Sequence, residues 1–100
     1  MKESQLIKKT VELLVKKYGY DKDQIKLEHK ITDEDEEQIF LDIVVFAKKG
    51  KKIQKEIIII VEIKSGKFLL PLHENRLKIS MINANAQYGM LYNGEEKLCW

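Results

Sequence analysis

The run of four isoleucines and a valine at positions 57–61, inside the segment EIIIIVEIK, constrains this chain more than any other feature. Side chains of a strand alternate between two faces, so an unbroken apolar run must be covered on both. The run is far short of the roughly 20 residues that cross a bilayer as a helix. It predicts a central strand with helices packed above and below. A chain of 100 residues has room for one domain, 1–100, around one small core. The 44% hydrophobic content can build that core, and the 34% charged residues are scattered through it, which excludes a disordered chain.

The remaining sequence supplies the covering layers. Residues 4–18 set Leu6, Ile7, Val11, Leu14, Val15 and Tyr18 at helical spacing, with Ser4 as the N-cap and Gly19 where a left-handed C-terminal residue belongs. Asp21 caps one further turn. Residues 25–31 alternate and predict a half-buried strand, and 32–38 form an acidic loop. Residues 39–46 (IFLDIVVF) and 56–64 are strands rich in β-branched residues, joined by a hairpin connection over 47–55. Gly66 and Pro71 break the chain. Residues 73–86 predict a helix with Leu72, Leu77, Ile79 and Ile82 as its apolar contacts. Residues 87–92 predict a strand, Asn93-Gly94 a turn, and 97–100 the start of another strand. The expected order is α-β-β-β-α-β-β, a mixed central sheet flanked by helices. The sequence stops inside the last expected strand, which points to an excerpt of a longer chain.

Charge and cysteine content narrow the setting. With 18 basic and 16 acidic residues the net charge is +2, so bulk charge carries no argument for nucleic-acid binding. Arg76 is the only arginine among the basic residues. A lone Cys99 excludes an internal disulfide and a multi-thiolate zinc site and fits a reducing, cytoplasmic location. Lys2, Glu3, Lys8 and Lys9 precede any apolar stretch, so neither a secretory signal nor a membrane partner is expected.

Three residues disturb the two best strands: Asp42, Glu62 and Lys64. Glu62 and Lys64 are two apart and share a face. A hairpin centred on Gly50 to Lys52 pairs 46 with 58, 44 with 60 and 42 with 62, so Asp42 opposes Glu62 at the end away from the turn. Opposed Cβ atoms lie about 4.5–5.5 Å apart. Two carboxylates at that separation repel, and a hard divalent cation with oxygen ligands relieves the repulsion. A lysine two residues on can orient water or stabilise charge developing at phosphorus. The set is suited to metal-assisted phosphodiester hydrolysis. A solvated cross-strand pair of acid and lysine is the plainer reading of the same residues.

The segments LDIVVF, IIIIVEIK and AQYGMLYNGEEKLCW, together with the helix that ends in YGYDKDQI, resemble the N-terminal nuclease domain of type I restriction enzyme R subunits. That family is part of the PD-(D/E)xK nuclease superfamily, and the resemblance covers nearly the whole chain. It implies a restriction-endonuclease-like α/β fold and a Mg²⁺-dependent DNA endonuclease, with Mn²⁺ as a substitute ion. It also implies Asp42 and Glu62 as metal ligands, the Ile63 carbonyl as a further ligand and Lys64 as the catalytic lysine. DNA is the implied partner, with a homodimer or a larger restriction complex as the assembly. The chain departs from the family's pattern on the second helix, where Arg76 and Ser80 stand in place of the frequent Gln and Tyr. Ser65-Gly66-Lys67 is no ATP-binding loop, because Val61 and Phe68 occupy positions that would need Gly and Ser or Thr. The alternative from another functional class is a non-catalytic DNA-binding or assembly module that kept the fold.

Other candidates are weaker. Glu3 is either an auxiliary acid or a first-turn residue favoured by the helix dipole. Glu12 and Glu28 are expected to face water. His29 and His73 are separated from each other and from Cys99, so a histidine-based metal site is not expected. Lys48, Lys49, Lys51 and Lys52 read as a solvated hairpin tip distant from Glu62. Lys67 lies nearer the site and is the better candidate for contact with the DNA backbone. Tyr88, Tyr92 and Trp100 read as core or interface residues. Ile59 and Ile60 are expected to be buried on opposite faces of their strand.

Overall fold

In a computed structural model, which describes residues 2–66 and 69–100, the apolar run lies in the middle strand of a five-stranded sheet. The elements in chain order are α1 (Glu3–Lys16), a 3₁₀ turn (Lys22–Gln24), β1 (Ile25–Thr32), β2 (Gln38–Lys49), β3 (Lys52–Ile63), α2 (Pro71–Ala84), β4 (Tyr88–Tyr92) and β5 (Lys97–Cys99). The chain is therefore a mixed α/β domain whose order differs from the expected α-β-β-β-α-β-β by the inserted 3₁₀ turn. That turn forms because Gln24 accepts from the Asp21 N–H (3.0 Å) while its amide donates to the Phe46 carbonyl (3.0 Å), tying the chain to β2.

The sheet runs β1-β2-β3-β4-β5, antiparallel except for the parallel pair β3–β4 that α2 connects. One face carries a core of Leu6 and Leu14 from α1 with Ile43, Val45, Val61, Ile63 and Met90. The other carries Leu41, Val44, Ile57, Ile60, Leu77 and Leu91 beneath α2. The 57–61 run is thus covered on both sides. Ile60 is fully buried, whereas Ile59 is only half-buried at the edge of the α1-side core. Replacing Ile60 with alanine should cost roughly 2–5 kcal/mol in urea unfolding, the range for a buried aliphatic truncation. A loss below about 1 kcal/mol would show that β3 is not the packing centre.

Several expectations are corrected. The hairpin connection is not 47–55. The ladder continues through Lys48↔Ile53 and Lys49↔Lys52, leaving Gly50-Lys51 as the turn, with Gly50 at φ +61. The second helix runs Pro71–Ala84 and not 73–86: Pro71 ends the preceding segment and also opens the helix, since the first helical residue needs no N–H donor. Ser4 lies inside α1, whose N-cap is Lys2, and the Gln5 side chain accepts from the Lys2 N–H (3.2 Å). On α2, Leu77 and Ser80 are buried, but Leu72, Ile79 and Ile82 are exposed, Ile82 by 75%. The helix lies close to β4 and turns Leu77, Ser80 and Met81 toward it. A Cβ on Gly89 would meet Leu77 at 3.2 Å and Met81 more closely still.

Candidate active site

β2 and β3 position the acids. Val44 pairs with Ile60 and Ile43 with Val61, so the ladder runs directly toward Asp42 and Glu62. Farther toward the turn the expected pairing of 46 with 58 fails: Phe46 pairs with Ile57, which leaves Ile58 as an extra residue in a bulge. The bulge lies on the turn side of the acids and does not disturb their register.

A second irregularity lies at Asp42 itself. Leu41 and Val44 belong to the α2-side core, whereas Ile43 and Val45 belong to the α1-side core. Strict alternation would put Leu41 with Ile43, so the strand changes phase at Asp42. On the neighbouring strand Leu27 pairs with Ile43 and His29 with Leu41, and Glu28 between them has φ +50. The Asp42 carboxylate turns onto the β3 backbone, where Oδ2 accepts from the Ile63 N–H at 2.8 Å.

Glu62 is half-buried, and its carboxyl is pushed up from 4.5 to about 8. Burial is the main cause. The negative charge of the neighbouring Asp42 carboxyl adds to it, and Lys64 pulls the other way. The two acids therefore share a site that cannot comfortably hold two negative charges. Lys64 is half-buried at the end of β3, its N–H donating to the Tyr92 carbonyl (3.0 Å). Among the described residues the ion pairs are Lys48 with Asp21 and Asp23, and Lys78 with Glu74. Lys64 takes part in none of them.

Glu62 and Lys64 open into a cleft of about 300 Å³ whose other walls are Ile39 and Phe40 of β2 and His73, Arg76, Ile79 and Ser80 of α2. His73 is the residue that sequence reasoning did not bring to the site, beside Arg76, which it noted only as standing where the family often carries Gln. The available signal was their spacing with Ser80: positions three and seven residues apart form one stripe of a helix.

Other candidates separate from this cleft. Glu3 Oε1 lies 3.4 Å from both the N–H and the hydroxyl of Ser65, so the start of α1 reaches the segment after Lys64. Asn93 braces the same segment, donating to the Gly66 carbonyl (3.0 Å) and accepting from Glu95 and Glu96. Glu12 and Glu28 are exposed. His29 packs edge-on against Phe46 with ring centroids 5.3 Å apart, and burial, followed by the charge of Lys26, holds its pKa down. Lys48 is engaged by Asp21 and Asp23, which makes that end of the hairpin a structural contact. Trp100 packs on the α2-side core beneath Lys78. Lys67, the expected DNA-backbone contact, lies outside the described residues.

The donor chemistry suits a hard cation: two carboxyl groups lie close together, and burial with the charge of Asp42 makes it costly for Glu62 to ionise without a counter-ion. Among the described residues no group of three or more His, Cys, Asp or Glu side chains gathers around one point. The remaining ligands of an ion here would have to be a backbone carbonyl, water or substrate oxygen.

The family model described as Type I restriction enzyme R protein N terminus (HSDR_N) matches residues 2–100. The chain belongs to this family. No curated protein matches the chain. Among the described residues no helix is long and apolar enough to cross a membrane.

Proposed function

We propose that this R-protein N-terminal domain is a divalent-metal-dependent DNA endonuclease acting in a restriction system. The observation that carries the reading is the closeness of the Asp42 and Glu62 carboxyls beside the phase change of β2, with Asp42 held by the Ile63 N–H and Lys64 lining the same cleft as Glu62. In this reading Asp42, Glu62 and the Ile63 carbonyl hold Mg²⁺ or Mn²⁺. When bound, such an ion neutralises the two carboxylates and acts as a Lewis acid toward phosphate oxygens.

The chain's own groups do the rest. The Ile63 N–H fixes Asp42, so the carboxylate does not rotate away when Glu62 loses its proton. Lys64, free of ion pairs among the described residues, orients the attacking water and offers positive charge to the phosphate as negative charge builds on its oxygens. Ile39 and Phe40 form the apolar wall of the cleft. Membership of the family favours DNA as substrate and a restriction complex as the setting.

The runner-up is a non-catalytic DNA-binding or assembly module. It is favoured by the exposed stripe of Leu72, Ile79 and Ile82, which offers a partner an apolar face. Supercoiled plasmid separates the two. The nuclease reading expects nicking or linearisation with Mg²⁺ or Mn²⁺ and none in excess EDTA. Cleavage that persists in EDTA, or wild-type protein that binds DNA without cutting it in either ion, rejects the reading.

A further inference from the structure

The cleft beside Glu62 and Lys64 has a wall of unlike chemistry on α2. His73, Arg76 and Ser80 share one stripe of that helix, while the paired Glu74 and Lys78 lie on another. Arg76 is exposed, carries the chain's single guanidinium and takes part in none of the ion pairs among the described residues. The His73 Nδ1 accepts from the Leu70 N–H (3.2 Å), which leaves the proton on Nε2 and makes that atom a donor. The wall thus presents a fork of N–H donors and an imidazole N–H, and the cleft offers them no carboxylate other than Glu62.

We infer that His73 and Arg76 form a phosphodiester-binding wall that seats the DNA backbone against Glu62 and Lys64. A guanidinium matches two non-bridging phosphate oxygens at once, which an ammonium cannot do. The space, about 300 Å³, equals that of roughly ten water molecules and admits a phosphate group together with an ion. The same geometry explains the placement of the chain's only arginine. Seventeen lysines would serve for diffuse attraction, but a fixed fork is needed where a phosphate must be oriented beside a reacting group. Ser80 is buried and lines the same cleft.

This inference deepens the nuclease reading and rests on it for the identity of the ligand, so the test reads binding and cleavage separately. The full chain is titrated against a fluorescein-labelled DNA duplex in EDTA, where binding is seen without cutting. Plasmid nicking in Mg²⁺ is measured in parallel. Arg76→Ala should weaken duplex binding about tenfold, lower the slope of log affinity against log salt by about one and slow nicking. Arg76→Lys should restore the salt slope but not the nicking rate, because charge returns without the fork. His73→Ala should show a smaller loss of the same kind. Lys78→Ala, on the other stripe of α2, should change neither readout. Arg76 is exposed, so these substitutions do not open the core. An Arg76→Ala protein that matches Lys78→Ala in both affinity and salt slope overturns the inference, whether or not the wild type cuts DNA. Wild-type protein that never cuts, while Arg76→Ala still loses binding, removes the nuclease reading and leaves the phosphate wall standing.

Discussion

Lys64→Ala should eliminate plasmid nicking, by at least about a hundredfold, while leaving Mn²⁺ affinity intact. Lys64 follows the acids along β3, contributes a charge that lowers the Glu62 carboxyl's proton affinity, and joins no ion pair among the described residues. Removing it therefore costs little stability, and loss of activity cannot be assigned to unfolding. The acids should behave differently. Glu62→Ala and Asp42→Asn should abolish nicking and also weaken Mn²⁺ binding, because each removes a charged oxygen ligand from a hard cation. Asn is the informative change at position 42. Alanine would strip the Ile63 N–H of its acceptor and cost about 1–3 kcal/mol of its own, whereas asparagine keeps an oxygen within reach of it. Isothermal titration with Mn²⁺ and gel-resolved nicking read the two properties apart. Nicking that survives Lys64→Ala, or Mn²⁺ binding that survives both acid substitutions, would sink the assignment of roles. A DNA-binding module that does no chemistry would bind duplex as well or better without the acids, since each loss removes negative charge beside phosphate.

The central strand was readable because five successive apolar residues leave few options, and β3 is the middle strand of the sheet with a core on each face. The pairing of Val44 with Ile60 was readable too, because hydrophobic pattern and turn position agree near the centre of the hairpin. The bulge at Ile58 was not. All of residues 57–60 are isoleucine, so nothing in the residue types marks which one is extra. The phase change at Asp42 was hidden for a similar reason: the alternation of IFLDIVVF is too weak to show where it slips. On α2 the apolar residues lie all around the helix, and the wheel gave no preferred face. Close approach to Gly89 decided the matter, turning Leu77, Ser80 and Met81 inward and leaving Ile79 and Ile82 outside. Arg76 and His73 came to the cleft by that same rotation. Sequence spacing could place them on one stripe but could not say where the stripe would point.

The carboxyl pair should also leave a signature in stability that needs no DNA. The Glu62 carboxyl is held up at about 8 in the folded chain, against 4.5 for an ordinary glutamate. Below about pH 4.5 both folded and unfolded chains carry its proton, and the shift has no effect on stability. Between that pH and about 8 the unfolded chain gives the proton up while the folded chain retains it. The folded state then binds more protons, so its stability falls as pH rises through this window and levels off above it. Burial is the main cause and Asp42 the second, so the fall reports the difficulty of placing two negative charges together in that cleft. Glu62→Gln keeps the size and removes the ionisation. It should flatten the decline and be more stable than wild type at pH 8 by more than about 1.4 kcal/mol, the equivalent of one pKa unit. Mg²⁺ should act on the wild type in the opposite sense to pH. Binding to the ionised pair displaces the proton, so stabilisation by the ion grows as pH rises, and Glu62→Gln should gain little from it. Thermal melts of both proteins from pH 5 to pH 8.5, with and without Mg²⁺, measure all of this. Parallel curves for the two proteins across that range would mean that Glu62 ionises freely, that Asp42 does not press upon it, and that the shared site for a cation does not exist.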